Sequence, residues 1–342
     1  PNLSERIQAW LYNEAAFRLR ALGRLTEALG PMRAGLEKDI QREDWKNAAI
    51  GASNLSNLEA TLGDLDPAVN DARRAVDFAD RIEPQNLFQR MTKRTAAADA
   101  LHQRDQRDEA RRLFERAEEL QRELQPQFEW LYSLQGFLYC DLNLAPAERA
   151  AWRYFADVGQ QKGGPAWPTG SERGASSHSL PEVELALGEA ERRGNKMFEQ
   201  RVPGEPLLGI ALDHLTLARV ELYRAMLDPR SIASFSLDFA ATALDAMRKA
   251  NQLDYLPRAL LTAAASQHLA GNPDKAEALL TEAQHIAERG PMPLHLADVH
   301  LHRARLFRDR DELAKAKALI KKHGYWRRRE ELADAEEASG NW

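Results

Sequence analysis

The sequence is poor in several features on which common protein classes depend, and cysteine is the first of them. Cys140 is the single cysteine, which excludes an intramolecular disulfide framework and a cysteine-based zinc site and is typical of a reducing cytosol. No stretch reaches the roughly 18 uninterrupted apolar residues of a membrane span, and the N-terminus has no signal-peptide pattern. We therefore expect a soluble, cytoplasmic protein without a membrane partner.

An excess of positive charge is also missing. The 342 residues include 47 basic and 52 acidic side chains, which gives a formal net charge of −5. A nucleic-acid-binding domain usually carries a basic patch that releases counterions from phosphates. The charge balance therefore argues against a DNA or RNA partner.

Aromatic residues make up only 7% of the chain, although hydrophobic residues reach 44%. This composition predicts a core of Ala and Leu, which suits closely packed helices better than a β-rich interior. We expect an all-α fold with almost no strand.

The motifs of common enzyme sites are absent as well. The sequence has neither G-x-x-x-x-G-K-[ST] nor G-x-G-x-x-G, and "GGPAWPTG" (163–170) lacks the lysine that a phosphate loop needs. His295, His300 and His302 are not four residues apart, so one helix would not aim two of them at a metal. We predict no catalytic residue, no metal and no cofactor, and hence no enzyme.

A short pattern recurs along the chain, ending in alanine, with glycine or a turn-tolerant residue five positions earlier in most copies. The copies are "LGRLTEA" (22–28), "LGDLDPA" (62–68), "RDQRDEA" (104–110), "LAPAERA" (144–150) and "AGNPDKA" (270–276). The first four final alanines, Ala28, Ala68, Ala110 and Ala150, are 40, 42 and 40 residues apart. Self-similarity at such a period is the signature of a repeat architecture.

The spacing has a physical reason. Gly23, Gly63 and Gly271 can end a first helix in the left-handed conformation, and the alanine lets a second helix approach the first closely. A single helix pair cannot bury both of its faces, so successive pairs stack into a solenoid. The predicted helices span 3–21, 25–41, 43–62, 66–82, 86–104, 107–124, 126–144, 147–158, 181–201, 205–227, 235–251, 255–270, 273–289, 293–309, 312–323 and 327–339.

The pattern resembles tetratricopeptide repeats of a long period, about 40–42 residues instead of the usual ~34. The resemblance implies a right-handed superhelical α-solenoid of antiparallel helix pairs. We expect a single domain over 1–342, with an irregular insertion at about 147–180 and a C-terminal capping helix at about 327–339.

In such repeats the first helix of each pair lines the concave surface, which is the usual binding site. The inward positions lie about 13, 10, 6 and 3 residues before the turn in the resembled repeat. Counting back in this way gives Trp10, Asn13, Phe17, Arg20, Asn57, Asp99, His102, Tyr132, Gln135, Tyr139, Arg258, His268 and Arg303 as candidate ligand contacts. The aromatic members could equally fill the core between repeats, whereas Asn57 and Arg303 have no reason to face a core of Ala and Leu.

Longer phrases in the C-terminal half carry a second resemblance. They include "IALDHLTLARVELYRAML" (210–227), "AERGPMPLHLADVHLHRARLF" (287–307) and "LIKKHGYWRRREELADAEEA" (319–338). These are similar to the C-terminal repeat arrays of bacterial signal-transduction ATPases of the NACHT or STAND type. The resemblance implies a sensor of a protein or peptide ligand, with the ATPase and effector domains upstream in the same polypeptide.

Two other functions remain open at this stage. One is a free-standing repeat scaffold that assembles partner proteins. The other is a regulatory domain that binds a small molecule in the mouth of the superhelix or beneath the loop at 160–182.

The stretch "YWRRR" (325–329) sets two aromatic rings beside three arginines. We interpret it as the start of a cap on the last repeat, because the exposed end of a solenoid has to be covered. Three cations in the first turn of a helix oppose the helix dipole, so a contact with acidic groups or with a partner is the second interpretation.

Overall fold

The fold is described from a computed structural model, which describes residues 3–158, 180–201, 204–228 and 235–342. Within these ranges the chain forms fifteen α-helices and one short 3-10 turn, without a strand. The predicted all-α class is confirmed. No helix in the described ranges is long and apolar enough to cross a membrane.

Contacts divide the chain into two compact units. Unit 1 comprises Pro1–Leu131 with the short segments Glu288–Leu294 and Lys322–Arg327, and unit 2 comprises Tyr132–Ala287, His295–Lys321 and Arg328–Trp342. The single domain expected over 1–342 stays a prediction.

Unit 1 is built on six helices of similar length. They are α1 (Glu5–Ala21), α2 (Leu25–Gln41), α3 (Trp45–Thr61), α4 (Leu65–Asp80), α5 (Leu87–Gln103) and α6 (Arg107–Leu124). Each helix packs on the next one in the chain, and α3 also contacts α5. This is the packing of an α-solenoid, in which each repeat contacts its neighbours.

Unit 2 contains the remaining helices. They are α7 (Ser133–Val158), α8 (Leu180–Glu199), α9 (Leu207–Leu227), α10 (Asp238–Ala250), α11 (Leu256–Leu269), α12 (Pro273–Arg289), α13 (Pro293–Phe307), α14 (Arg310–His323) and α15 (Arg329–Ser339), with the 3-10 turn Trp326–Arg328 before α15. The last residues of α12, the first of α13, the last of α14 and Trp326 and Arg327 of the 3-10 turn belong to unit 1. The odd-numbered α7, α9 and α11 contact one another in sequence, and α15 packs on α7.

The turns within the helix pairs have the predicted chemistry. Gly23, Gly63 and Gly271 have φ of +72°, +81° and +81°, in the left-handed region that glycine enters without a Cβ penalty. Asp105 stands at the corresponding position of the third repeat and also has a positive φ, +64°. Aspartate tolerates this conformation better than most residues, so the pattern continues without glycine.

Four of the five recurring alanines are fully buried at the second helix of their pair. Ala28, Ala68, Ala110 and Ala276 each have 0% relative exposure. Ala75, Ala117 and Ala283, seven residues further on, have 1%, 0% and 0%. Residues seven apart lie on one face of a helix, so these alanines form a buried stripe along the second helix of each pair.

The fourth recurring alanine does not follow the prediction. "LAPAERA" (144–150) was expected to be a turn between helices at 126–144 and 147–158, but α7 is continuous across it, and Ala150 is half-buried within the helix. Pro146 lacks an N–H and removes one helical hydrogen bond, yet the rest of the helix bridges this gap. The second helix of this pair is α8, and residues 159–179 of the expected insertion lie outside the described residues.

Candidate binding surfaces

The first candidate surface is the exposed face of α1 in unit 1. Ile7, Trp10 and Phe17 are 45%, 61% and 67% exposed. Their positions, i, i+3 and i+10, fall on one side of an α-helix. Contiguous exposed apolar side chains mark interaction sites on folded proteins.

The corresponding face of α3 is polar. Asn57 follows Phe17 by the 40-residue repeat and is exposed, as are Asn54 and Asn47, about one and three turns earlier on the same helix. A carboxamide both donates and accepts hydrogen bonds, which matches the N–H and C=O of a peptide backbone. We define the α1–α3 surface as Ile7, Trp10, Phe17, Asn54 and Asn57.

Two further predicted residues of α1 lie at the edge of this surface. Arg20 is half-buried in the last turn of α1. Asn13 is exposed but is turned toward α2, where its side chain lies against Gly35. A Cβ added at Gly35 would lie 2.6 Å from Asn13 Oδ1, so glycine at this position lets α1 and α2 approach each other.

The predicted residues of α5 are less accessible. Asp99 is half-buried and accepts a hydrogen bond from Gln103 Nε2 at 2.8 Å. His102 is 1% exposed and therefore belongs to the interior of the helix pair.

The predicted residues of α7 were counted from a turn that the structure does not contain. Tyr132 precedes the helix, Gln135 lies in its first turn, and both are half-buried. Tyr139 is 5% exposed, and the Arg193 guanidinium lies 4.6 Å from the centre of its ring. The turn assumed in that count is absent, since α7 runs through 144–150 as one helix, and a ligand contact of these residues stays a prediction.

Arg258 is part of the interior of unit 2. It is half-buried on α11, its Nη1 donates to Asp141 Oδ2 at 3.3 Å, and its guanidinium lies 5.8 Å from the centre of the Phe137 ring. The guanidinium therefore joins α11 to α7.

His268 belongs to an aromatic cluster at the end of α11. Its ring makes edge-to-face contacts with Phe155 at 6.0 Å and with Phe307 at 5.3 Å between ring centres. Burial lowers the pKa of His268, so a neutral ring is favoured near neutral pH.

Arg303 also contacts side chains of neighbouring helices. Its guanidinium bonds Glu277 at 3.0 Å, Gln284 at 2.8 Å and Glu312 at 3.4 Å, which joins α13 to α12 and α14. The sequence suggested Arg303 because a core of Ala and Leu offers it no partner. The structure instead provides carboxylates on the two neighbouring helices.

A buried ionic network lies between α7 and α9, and the sequence did not reveal it. Arg219 Nη1 donates to Asp141 Oδ1 at 2.6 Å, Arg219 Nη2 donates to Glu148 Oε2 at 3.3 Å, and Nε donates to the Tyr223 hydroxyl at 3.2 Å. Asp141 and Glu148 are 2% and 3% exposed. Burial opposes ionisation of Arg219, but Tyr223 and the two carboxylates more than offset it and raise the pKa of the guanidinium.

The same network extends to the 3-10 turn. Arg328, 6% exposed, donates from Nε to Asp298 Oδ1 at 2.8 Å and from Nη1 to Glu331 Oε1 at 2.5 Å, and it lies 3.1 Å from Glu148 Oε1. A guanidinium among three carboxylates explains one arginine of "YWRRR". Its positive charge faces acidic groups of α7, α13 and α15, so it needs no partner molecule.

A second group of buried polar atoms lies where α8 meets α9. Arg201 stacks on Phe198, 3.7 Å from the ring centre, and bonds Asp213 Oδ2 at 3.4 Å. Burial, with Glu205 adding to the effect, raises the pKa of Asp213 to about 7, while burial and Arg201 lower the pKa of His214 to about 4. Of the two groups, Asp213 therefore titrates near neutral pH.

The described residues contain no group of three or more His, Cys, Asp or Glu side chains that could hold a metal ion. Neither a known family model nor a curated protein matches the sequence. The two resemblances drawn from the sequence therefore remain hypotheses about the family, while the helical array itself is observed.

Two kinds of signal could have improved the sequence interpretation. Asp141, Glu148 and Arg219 interrupt otherwise apolar stripes of α7 and α9, and a charge at a core position predicts a buried partner. For α7, the only cue against a turn is that "LAPAERA" lacks glycine at the position where Gly23 and Gly63 stand.

Proposed function

We propose that this chain is a non-catalytic recognition module that binds a protein or peptide, with the α1–α3 surface of unit 1 as its binding site. The observation that carries the proposal is the exposure of Trp10 and Phe17, at 61% and 67%, on one face of α1. Exposed aromatic side chains supply most of the binding energy in many interfaces. Asn54 and Asn57, exposed on the first helix of the next pair, add groups that can hydrogen-bond a peptide backbone.

Selection from a peptide display library tests this proposal without a known ligand. We expect peptides to be enriched on the unaltered chain and lost on Trp10→Ala/Phe17→Ala. The matched control is Leu185→Ala, because Leu185 is also 67% exposed but lies on α8 of unit 2. Equal enrichment on all three proteins would contradict the proposal.

The finer proposal is that the module is the C-terminal sensor of a bacterial ATPase of the NACHT or STAND type. Its support is the resemblance of the phrases at 210–227, 287–307 and 319–338, together with a helical array of the expected kind. The sequence of the complete reading frame tests it. The proposal requires a nucleotide-binding loop upstream of residue 1, and a reading frame without one would refute it.

One observation favours a small-molecule ligand as a second candidate. A cleft of about 400 Å³ between α10, α11 and α12 is lined by apolar side chains, among them Leu244, Ala263 and Leu279, with Arg248 and Lys275 at its rim. Leu244→Trp would fill the cleft. If the unaltered chain retains a metabolite from a metabolite pool and Leu244→Trp does not, the result would support this function. If the unaltered chain retains no metabolite, the result would argue against it.

A further inference from the structure

The C-terminal helix α15 has an unusual composition for a helix that packs on others. Five of its 11 residues are acidic, and Leu332 is its single large apolar residue. Leu332, Ala335 and Ala338 are buried against unit 2. The apolar part of the α15 interface is therefore limited to one leucine and two alanines, and charged side chains make up much of the rest.

The acidic side chains of α15 meet cations of α7. Arg149 donates to both carboxylate oxygens of Asp334, at 2.7 and 3.1 Å, and lies 3.1 Å from Glu330. Arg153 is 3.9 Å from Asp334. A bidentate guanidinium–carboxylate pair fixes the orientation of the helix as well as its position.

Cations of α13 and α14 complete the site. Arg305 Nη2 donates to Glu331 Oε2 at 2.8 Å, and Lys317 pairs with Glu336. Arg310 donates to the backbone carbonyls of Ser339 and Gly340, at 3.0 and 3.3 Å, at the negative end of the α15 dipole. We define the cationic surface as Arg149, Arg153, Arg305, Arg310 and Lys317.

Release of α15 would leave Arg328, the residue before the helix, in place. Arg328 would lose Glu331 but would keep Asp298 and Glu148, so the 3-10 turn would stay anchored by two carboxylates. The cationic surface would then face water with five positive charges. An element with few apolar contacts opens more easily than one held by extensive apolar burial, and salt weakens the more exposed of its ion pairs, such as Lys317–Glu336.

We propose that the cationic surface is a binding site for an acidic amphipathic helix of a partner protein, and that α15 occupies it in cis until such a helix displaces it. The partner helix carries carboxylates at the spacing of Glu330, Glu331, Asp334 and Glu336. This site lies in unit 2 and is independent of the α1–α3 surface. The proposal holds whether or not that surface binds a peptide.

A peptide competition tests the proposal. The probe is a fluorescent peptide of residues 329–342, and the control peptide has Gln or Asn in place of Glu330, Glu331, Asp334 and Glu336. We expect Leu332→Ala/Asp334→Asn, which weakens α15 without altering the cationic surface, to bind the probe at least 10-fold more tightly than the unaltered chain. Glu337→Gln is the matched control, because Glu337 is exposed on the same helix, and it should bind like the unaltered chain.

Hydrogen exchange on the unaltered chain gives a second, independent readout. The amides of α15 should exchange at least 10-fold faster when NaCl is raised from 0.05 to 0.5 M, while those of α7 and α9 stay protected. This measurement stands even if the double variant fails to fold.

Three results would overturn the proposal. The first is equal binding of the acidic and the neutral peptide by the double variant. The second is exchange of α15 at the rate of α7 at both salt concentrations. The third is a double variant that dimerises without binding the peptide, because the occupant would then be α15 of a second copy.

Discussion

Single residues decide how closely the helices of unit 1 approach their neighbours. Gly63 and Gly23 occupy equivalent turns and have similar positive φ values, +81° and +72°. Their surroundings differ. A Cβ at Gly63 would lie 2.5 Å from His323 Nδ1 and 2.6 Å from Pro293 Cγ, whereas a Cβ at Gly23 would meet no atom within 4 Å.

This difference predicts unequal costs for the same substitution. Gly23→Ala should lower the free energy of unfolding by about 1 kcal/mol, which is the strain of a left-handed alanine. Gly63→Ala adds a steric clash to that strain, and overpacking typically costs about 1–3 kcal/mol more. Urea unfolding of both variants measures the difference, and equal costs would show that the close approach at Gly63 is not maintained in solution.

The ionisation of Asp213 makes the stability of the fold depend on pH. Its carboxyl is 1% exposed, and burial raises its pKa to about 7, well above about 3.9 in the unfolded chain. The folded state therefore holds the proton more tightly than the unfolded state does. The contribution to stability is fully present below pH 4 and is lost as pH rises from about 4 to about 7.

Asp213→Asn should remove this loss, because asparagine resembles the protonated acid and does not ionise. Relative to the unaltered chain, the variant should gain about 2–3 kcal/mol of stability between pH 5 and pH 8. Urea unfolding at the two pH values measures the gain. Asp245→Asn is the control, since Asp245 lies on the surface of α10, where its pair with Lys249 is largely solvated. Parallel pH profiles for Asp213→Asn and the unaltered chain would contradict the account.

At the scale of the element, Arg328 at the end of the 3-10 turn is one of the cations that hold the start of α15 in unit 2. Arg328 is buried among Glu148, Asp298 and Glu331, whereas the next residue, Arg329, is exposed. Removal of one partner from a buried ionic group leaves carboxylates without compensation.

Arg328→Met should therefore lower the free energy of unfolding by about 3–5 kcal/mol. Arg329→Met should change it by no more than about 0.5 kcal/mol, because its side chain is exposed. Thermal and urea unfolding of the two variants give this comparison between adjacent residues. A small effect of Arg328→Met would show that the carboxylates find other partners or protons.

Helix α7 shows which part of the architecture a sequence pattern could not predict. The repeat predicts turns where glycine or aspartate accepts a left-handed conformation, and it is right at Gly23, Gly63, Asp105 and Gly271. At 144–150 the same pattern falls inside a helix, because nothing in "LAPAERA" forces a positive φ. Tyr132, Gln135 and Tyr139 were counted from that expected turn.

At the scale of the whole molecule, periodicity identified the all-α class and most helix boundaries. It could not identify the ionic network of unit 2, because most of those ion pairs join residues far apart in the chain. Arg149 and Asp334 are separated by 185 positions, and Arg219 and Asp141 by 78. Arg258 and Arg303 were expected on a binding surface for the same reason, since their acidic partners lie on other helices.

The exposure of the aromatic residues of α1 indicates that they serve binding and do not stabilise the fold. A structural residue contributes by burial, whereas Trp10 and Phe17 are mostly in water. Their replacement by alanine should leave the free energy of unfolding within about 0.5 kcal/mol of the unaltered value.

The most direct test of the proposed function is the affinity of one peptide, selected on the unaltered chain, measured by fluorescence anisotropy. The account predicts that Trp10→Ala/Phe17→Ala weakens binding at least about 30-fold, since a hot-spot residue contributes about 2 kcal/mol or more. Leu185→Ala should bind like the unaltered chain. An unchanged affinity in the double variant, with its fold intact, would contradict the claim that the α1–α3 surface is the binding site.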